Sequence, residues 1–201
     1  MPLVFITGPV RSGKSRFAER LARERGGEVT YVATARSDPD DREWTARIAH
    51  HRARRPPAWR IVETAAPGAP SLAAILRAAD AEHTLVVDST GTWLAERMRA
   101  RLEGLGRAKN LDSAAREASA LDEADLEAEL ALVTRALVDA RAYVIVVGEE
   151  TGWGVVPEFP SGRVFRDVLG RAHQALSAAA ERAYVVVAGV ALDLHALGRP
   201  V

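Results

Sequence analysis

Apolar residues along the chain fall into short, nearly continuous runs, separated by longer stretches with a helical period. The runs are residues 3–7 (Leu-Val-Phe-Ile-Thr), 29–33 (Val-Thr-Tyr-Val-Ala), 84–88 (Thr-Leu-Val-Val-Asp), 143–147 (Tyr-Val-Ile-Val-Val) and 184–188 (Tyr-Val-Val-Val-Ala). They are rich in β-branched side chains and show little polar alternation, which predicts strands covered on both faces. Residues 15–24, 41–53, 71–80, 113–141 and 163–182 have helical character. In the last of these, Val164, Phe165, Val168, Leu169, Ala172 and Leu176 keep a 3.6-residue period. Alternating strands and helices predict an α/β fold with a mainly parallel sheet flanked by helices. Sheets of that kind bind ligands beyond the carboxyl ends of their strands. The loops at 8–15, 34–40, 88–92 and 148–160 are therefore expected to gather on one edge.

Two stretches interrupt the pattern. Residues 54–60 contain Pro56-Pro57 and cannot be helical through them. Residues 101–125 are rich in alanine and charge, with Gly104 and Gly106, and predict a mobile connection followed by a solvated helix. A length of 201 residues fits one domain, residues 1–201, able to bury a core without staples.

Composition narrows the function classes. The absence of cysteine excludes disulfides and thiolate metal sites. With 27 basic and 27 acidic residues the net charge is zero, which argues against binding nucleic acid or a membrane surface through bulk charge. No run approaches the length of a membrane-spanning helix, and the N-terminus reads as a strand rather than a signal peptide. A cytoplasmic setting is expected.

The first strand runs directly into Gly8-Pro9-Val10-Arg11-Ser12-Gly13-Lys14-Ser15, the G-x-x-x-x-G-K-[ST] phosphate-binding loop. Only two of the 27 basic residues are lysines, Lys14 and Lys109, yet one stands where the loop requires a compact ammonium rather than a planar guanidinium. Gly8 and Gly13 permit backbone conformations that a Cβ resists. The amides of residues 10–15 can then face phosphate oxygens, Lys14 reaches the β- and γ-phosphates, and the Ser15 hydroxyl is a ligand for Mg²⁺. The helix that follows adds its positive end to the same place.

Asp88 closes the third apolar run. An acid there is placed to hold Mg²⁺ or, alternatively, to cap the next helix. Ser89, Thr90 and Thr92 add hydroxyls nearby. His50 and His51 are adjacent in a helical segment, so their rings diverge by about 100°. As residues alone they fit a nucleophile, a base, a pH-sensitive structural role or a solvated face. The arginines at 52, 54 and 55 fit an anion site or the same solvated face. Gly148, Gly152 and Gly154, with Trp153 and Pro157, mark 148–158 as a specifically shaped loop, in which Trp153 is expected to find a partner surface.

In this order the pieces resemble the bifunctional adenosylcobinamide kinase and adenosylcobinamide-phosphate guanylyltransferase family of cobalamin assembly. The likeness rests on the loop at 8–15, on Tyr31-Val32-Ala33-Thr34, and on Arg47-Ile48-x-His50-His51 followed by Arg55-Pro56, Trp59-Arg60 and Glu63. It extends to Glu150-x-Gly152-x-Gly154-Val155-Val156-Pro157-Glu158 and Phe165-Arg166-Asp167-x-x-Gly170-Arg171. It spans the chain except about residues 101–125. Pro9 stands where the family usually has glycine, and Asp88 where glutamate also occurs.

The resemblance implies a single domain similar to the P-loop NTPases that phosphorylates adenosylcobinamide with ATP or GTP. GMP then passes from GTP, through a guanylyl-histidine, to give adenosylcobinamide-GDP. By the same resemblance His51 is the guanylylated residue, with His50 as its neighbour and rival, and Lys14 serves catalysis. Gly8, Pro9, Val10, Arg11, Ser12, Gly13, Lys14 and Ser15 would contact nucleotide. So would Ala33, Thr34, Ala35, Arg52, Ala53, Arg54, Arg55, Glu63 and Asp88. Ser15 and Asp88 would hold Mg²⁺. Implied partners are nucleotides and a small-molecule corrinoid, with no nucleic acid and no membrane span, in a homotrimer. A small-molecule kinase without transferase activity and a non-enzymatic nucleotide switch share the loop, but neither needs the histidine segment or the shaped 148–158 loop.

Overall fold

The computed structural model describes residues 3–36, 40–104 and 123–199. Its elements run β1 (Leu3–Thr7), α1 (Lys14–Arg25), β2 (Glu28–Ala33), α2 (Arg42–Arg54), β3 (Arg60–Glu63), α3 (Leu72–Ala78) and β4 (His83–Asp88). They continue with α4 (Thr90–Gly104), α5 (Glu123–Asp139), β5 (Tyr143–Val147), α6 (Pro160–Ala179), β6 (Arg182–Val187), β7 (Val190–Asp193) and α7 (Leu194–Leu197). The strands form one seven-stranded sheet in the order β3-β2-β4-β5-β1-β6-β7. Every pairing is parallel except β6 with β7.

Strand side chains alternate between faces with period two, and the core divides accordingly. Leu3, Phe5, Leu85, Val87, Val144 and Val146 point to one face. There they meet Leu72 and Leu76 of α3, Leu94 and Met98 of α4, Leu126 and Leu130 of α5, and Val168, Leu169 and Leu176 of α6. Val4, Ile6, Val86, Ile145 and Val147 point to the other face and pack on Ala18 and Ala22 of α1. Both faces of β1, β4 and β5 are thus covered, which is why these strands read as unbroken apolar runs. Each fully buried Leu or Ile contributes on the order of 2 kcal/mol through the apolar area it removes from water.

The five predicted strands are present, each within two residues of its expected ends. Two further strands, β3 and β7, are edge strands of four residues each. Ala188, predicted to end a strand, instead turns the β6–β7 hairpin. Ala188 and Gly189 have φ of 50° and 81°, the left-handed pair that a two-residue hairpin loop uses.

The predicted 88–92 loop needs correction. The chain turns helical at Thr90, because the Ser89 hydroxyl accepts from the Thr92 amide at 3.3 Å and starts α4 at once. The predicted irregular stretch 101–125 is also revised. Residues 101–104 finish α4, and α5 begins at Glu123 with Leu126, Leu130 and Leu137 buried rather than solvated. Residues 105–122 of that stretch lie outside the described residues. No described helix is long and apolar enough to cross a membrane.

Candidate nucleotide site

β5 is inserted between β1 and β4, with Val147 level with Ile6 on one side and Asp88 on the other. Three strand ends therefore converge on one spot: the phosphate loop after β1, Asp88 at the end of β4, and Gly148-Glu149 after β5. Beyond the strands the β5 chain stays tied to the loop. The Gly148 amide donates to Ile6 O at 2.8 Å, and the Glu150 amide donates to Gly8 O at 3.0 Å.

The loop has the backbone its glycines permit. Gly8 has φ 153°, and a Cβ there would overlap the Val186 carbonyl oxygen. The loop also turns inward on itself. Lys14, 6% exposed, donates from Nζ to Pro9 O at 3.3 Å, and the Ser12 amide donates to Pro9 O at 3.2 Å. The β6–β7 turn supports it from outside, where the Gly189 amide donates to Ser12 O at 2.9 Å.

Two cavities meet at Lys14 and Ser15. The first is lined by these two with Ala33, Ala35, His51, Arg52, Arg55, Glu63, Asp88, Ser89, Thr92 and Glu149. The second takes Arg11, Ser12, Gly13, His50, His51 and Arg54. His51 belongs to both walls and His50 only to the second, as adjacent helical positions require. Side-chain contacts tie α2 to α1 and β3. Arg54 bonds Glu19 of α1 at 2.9 Å, Arg23 donates to Arg54 O at 2.9 Å, and Arg52 pairs with Glu63 of β3.

Asp88 does not cap α4, since Ser89 does. Its carboxylate accepts instead from the Tyr31 hydroxyl, and the Arg55 guanidinium lies 3.5 Å from the centre of the Tyr31 ring. Burial raises the Tyr31 phenol well above its ordinary value, and the Asp88 charge adds to the rise. Thr34 is in neither wall. Its buried hydroxyl is fixed by Ser89 O and Thr92 Oγ1, each at 2.6 Å, so it ties β2 to the start of α4. Gly8, Pro9, Val10 and Ala53 also lie outside both walls.

Glu149 is the residue that the sequence pattern passes over. It accepts from Ser89 Oγ and, at 2.9 Å, from the Gly91 amide. Burial raises its carboxyl above the ordinary range, partly offset by the Ser89 bond. The one available signal is its position, immediately after an apolar run and inside a glycine-marked loop. Two arginines of α6 shape that loop. Arg166 donates to Val155 O at 2.8 Å and Gly152 O at 3.0 Å, and Arg163 to Pro157 O at 2.9 Å and Glu158 O at 2.8 Å. Trp153, expected to find a partner surface, is 64% exposed, beside Val155 at 92% and Val156 at 74%. The loop is held through its carbonyls, which leaves these side chains outward.

A mainly parallel sheet with this strand order, a phosphate loop after β1 and an acid at the end of β4 define a P-loop nucleotide-binding protein. A solved type III secretion system ATPase from pathogenic bacteria shares the fold, with TM-score 0.50 at 11% identity over 96% of this chain. The chain spans 56% of that ATPase's length.

The profile of the cobinamide kinase / cobinamide phosphate guanyltransferase family matches residues 4–194. The bifunctional adenosylcobalamin biosynthesis protein CobP of Pseudomonas aeruginosa is 37% identical over 94% of this chain and 95% of its own. The proteins CobU of Salmonella typhimurium and Escherichia coli are each 34% identical over 96% of this chain and 99% of theirs. The chain therefore belongs to the cobinamide kinase / cobinamide phosphate guanyltransferase family of transferases.

Proposed function

We propose that this chain, acting as one domain in the cytoplasm and by resemblance as a homotrimer, phosphorylates adenosylcobinamide with ATP or GTP. It then transfers GMP from GTP to the product through a guanylyl-His51 intermediate. The observation that carries this reading is the place of His51, in the walls of both cavities that contain Lys14 and Ser15.

In the guanylyl step the neutral His51 imidazole attacks the α-phosphorus of GTP. A P–N bond forms, the α–β bridging P–O bond breaks, and pyrophosphate leaves. An oxygen of the corrinoid phosphate then attacks the same phosphorus. The P–N bond breaks, and the histidine departs as its ring takes up a proton. Arg52 and Arg55 line that cavity and supply charge-assisted hydrogen bonds to the phosphoryl oxygens. In the kinase step Lys14 neutralises charge on the transferring phosphoryl group, and positioning does most of the remaining work.

Mg²⁺ fits the donors present. The Ser15 hydroxyl and the Asp88 carboxylate are hard oxygen ligands in one wall. Among the described residues no cluster of three or more His, Asp or Glu forms a metal cage. That suits an ion that normally binds through one or two protein oxygens plus substrate phosphates. Ser15 and Asp88 would hold it there, and it would supply positive charge that offsets the charge of the bound phosphates.

The test is incubation with α-labelled and γ-labelled GTP followed by denaturing electrophoresis. Label should enter from the α position only, survive alkali and be released by mild acid. His51→Ala should abolish labelling, while His50→Ala should keep at least part of it. Labelling lost in His50→Ala and kept in His51→Ala moves the nucleophile by one residue. No labelling of the wild type leaves a kinase alone.

A further inference from the structure

A third cavity, of about 570 Å³, opens on the face of the sheet opposite α1, between the 148–152 segment, α6 and α7. That volume lies within the usual range for a small-molecule site. Its floor is formed by Phe5 and His173, and its walls include Glu149, Gln174 and Gly170. Of these, Glu149 alone also lines the nucleotide cavity that holds Lys14 and Asp88. The strand order explains the coincidence. β5 rises between the phosphate-loop strand and the Asp88 strand, so Glu149, just beyond its end, shares a wall with Lys14 and Asp88.

Resting on the proposed kinase activity, we infer that this third cavity receives the hydroxyl-bearing arm of the corrinoid acceptor, and that Glu149 takes the hydrogen bond of that hydroxyl at the junction of the two cavities. The arm is slender and amide-linked, and the cavity offers it the polar Gln174 and a carboxylate at its inner end. The loop that contributes Thr151 and Gly152 to the cavity wall is fastened to α6 by Arg166 and carries the exposed Trp153, Val155 and Val156 just beyond, apolar surface for the bulky macrocycle that cannot enter. In the transfer the acceptor oxygen bonds to the γ-phosphorus, and its proton passes to the Glu149 carboxylate. The bond from the γ-phosphorus to the β,γ-bridging oxygen breaks, and the nucleoside diphosphate leaves with that electron pair.

Gly170 provides a clean test. It lies on α6 in the cavity wall, and a Cβ built there meets nothing within 4 Å. Gly170→Leu should fill the cavity without disturbing the helix and raise KM for adenosylcobinamide at least tenfold, with KM for the nucleotide donor unchanged. Glu149→Gln should lower kcat of the kinase step by about 10²–10⁴, the usual reach of a positioned proton acceptor. Guanylylation by α-labelled GTP needs no acceptor and serves as the folding control for Gly170→Leu; because Glu149 lines the nucleotide cavity, circular dichroism and the thermal midpoint serve for Glu149→Gln. If the wild type does not phosphorylate adenosylcobinamide, the kinase reading fails and this inference with it. If the wild type is active and Gly170→Leu leaves KM for adenosylcobinamide unchanged, the cavity assignment alone falls. An unchanged kcat in Glu149→Gln removes Glu149 from the reaction.

Discussion

His173 offers a prediction that needs no substrate. Its ring lies on α6, 5.1 Å from the Phe5 ring, with Nε2 2.9 Å from the Thr90 hydroxyl. Burial lowers its pKa from 6.5 to about 4. Charged groups share its cavity, among them Glu149, Glu150, Asp167, Arg166 and Arg199, yet burial accounts for the displacement. Between those two values the unfolded chain binds a proton that the folded chain refuses. The contribution of a neutral His173 is therefore whole above pH 6.5, declines as the pH falls, and is gone below about 4. At 1.36 kcal/mol per unit, the displacement from 6.5 to about 4 is worth about 3 kcal/mol.

The perturbation is His173→Gln, which keeps a hydrogen-bonding side chain and removes the titration. Glu149 works in the opposite direction. Its raised pKa means that the folded chain keeps a proton the unfolded one has lost, so its burial is less costly at low pH. Wild type and variant share that contribution, and their difference isolates His173. Thermal unfolding from pH 8 to pH 4 should show the variant less stable at the top of the range and gaining on the wild type below pH 6.5. The relative gain should reach about 3 kcal/mol, or roughly 6–12 °C in Tm for a chain of this size. Two curves that stay parallel over the whole range would refute the claim that a neutral imidazole is enforced by burial.

Two further outcomes follow from contacts near the site. A Cβ at Gly148 would overlap the His173 ring and lie 3.1 Å from Phe5, so Gly148→Ala should lose about 1–3 kcal/mol by overpacking, measured as a lowered denaturation midpoint. Arg54→Ala strips the 2.9 Å partner from Glu19, a carboxylate only 1% exposed, leaving Arg23 at 3.9 Å. It should cost about 2 kcal/mol and slow guanylylation by loosening α2, and the double variant with Glu19→Gln should recover part of the stability. An Arg54→Ala midpoint equal to wild type would show that α2 is held by other contacts.

The central strands are legible in the sequence because two-sided burial leaves no polar alternation, and the phosphate loop because its chemistry fixes its spacing. The elements missed have weaker signatures. β3 reads Arg-Ile-Val-Glu, half charged, and is a strand because β2 offers it an edge: Ala33 pairs with Glu63, which brings Glu63 and Arg52 together. α4 carries a helical spacing in Leu94, Met98 and Leu102, but it begins one residue after the Asp88-Ser89 strand end. The hydroxyl-rich run that caps it reads equally well as a loop. Thr34 sits beside cavity residues in sequence and is still in neither wall, because its hydroxyl is turned to Ser89 O and Thr92 Oγ1.

Glu149 was out of reach for a different reason. Its neighbours in the chain say only that a strand has ended and a shaped loop has begun. Its position between Lys14 and Asp88 comes from the order of strands, and that order depends on which strand is inserted between β1 and β4. Nothing in residues 143–150 specifies that β5 takes this place. It is settled by which helices cover the two faces, with α5 and α6 packing together on one face and α1 on the other. The phosphate-loop motif carries its spacing in consecutive residues, wherever the loop folds. The group that meets the acceptor must come from a strand that topology alone brings alongside, and so the nucleotide half of this site is readable from spacing while the acceptor half is readable only from the fold.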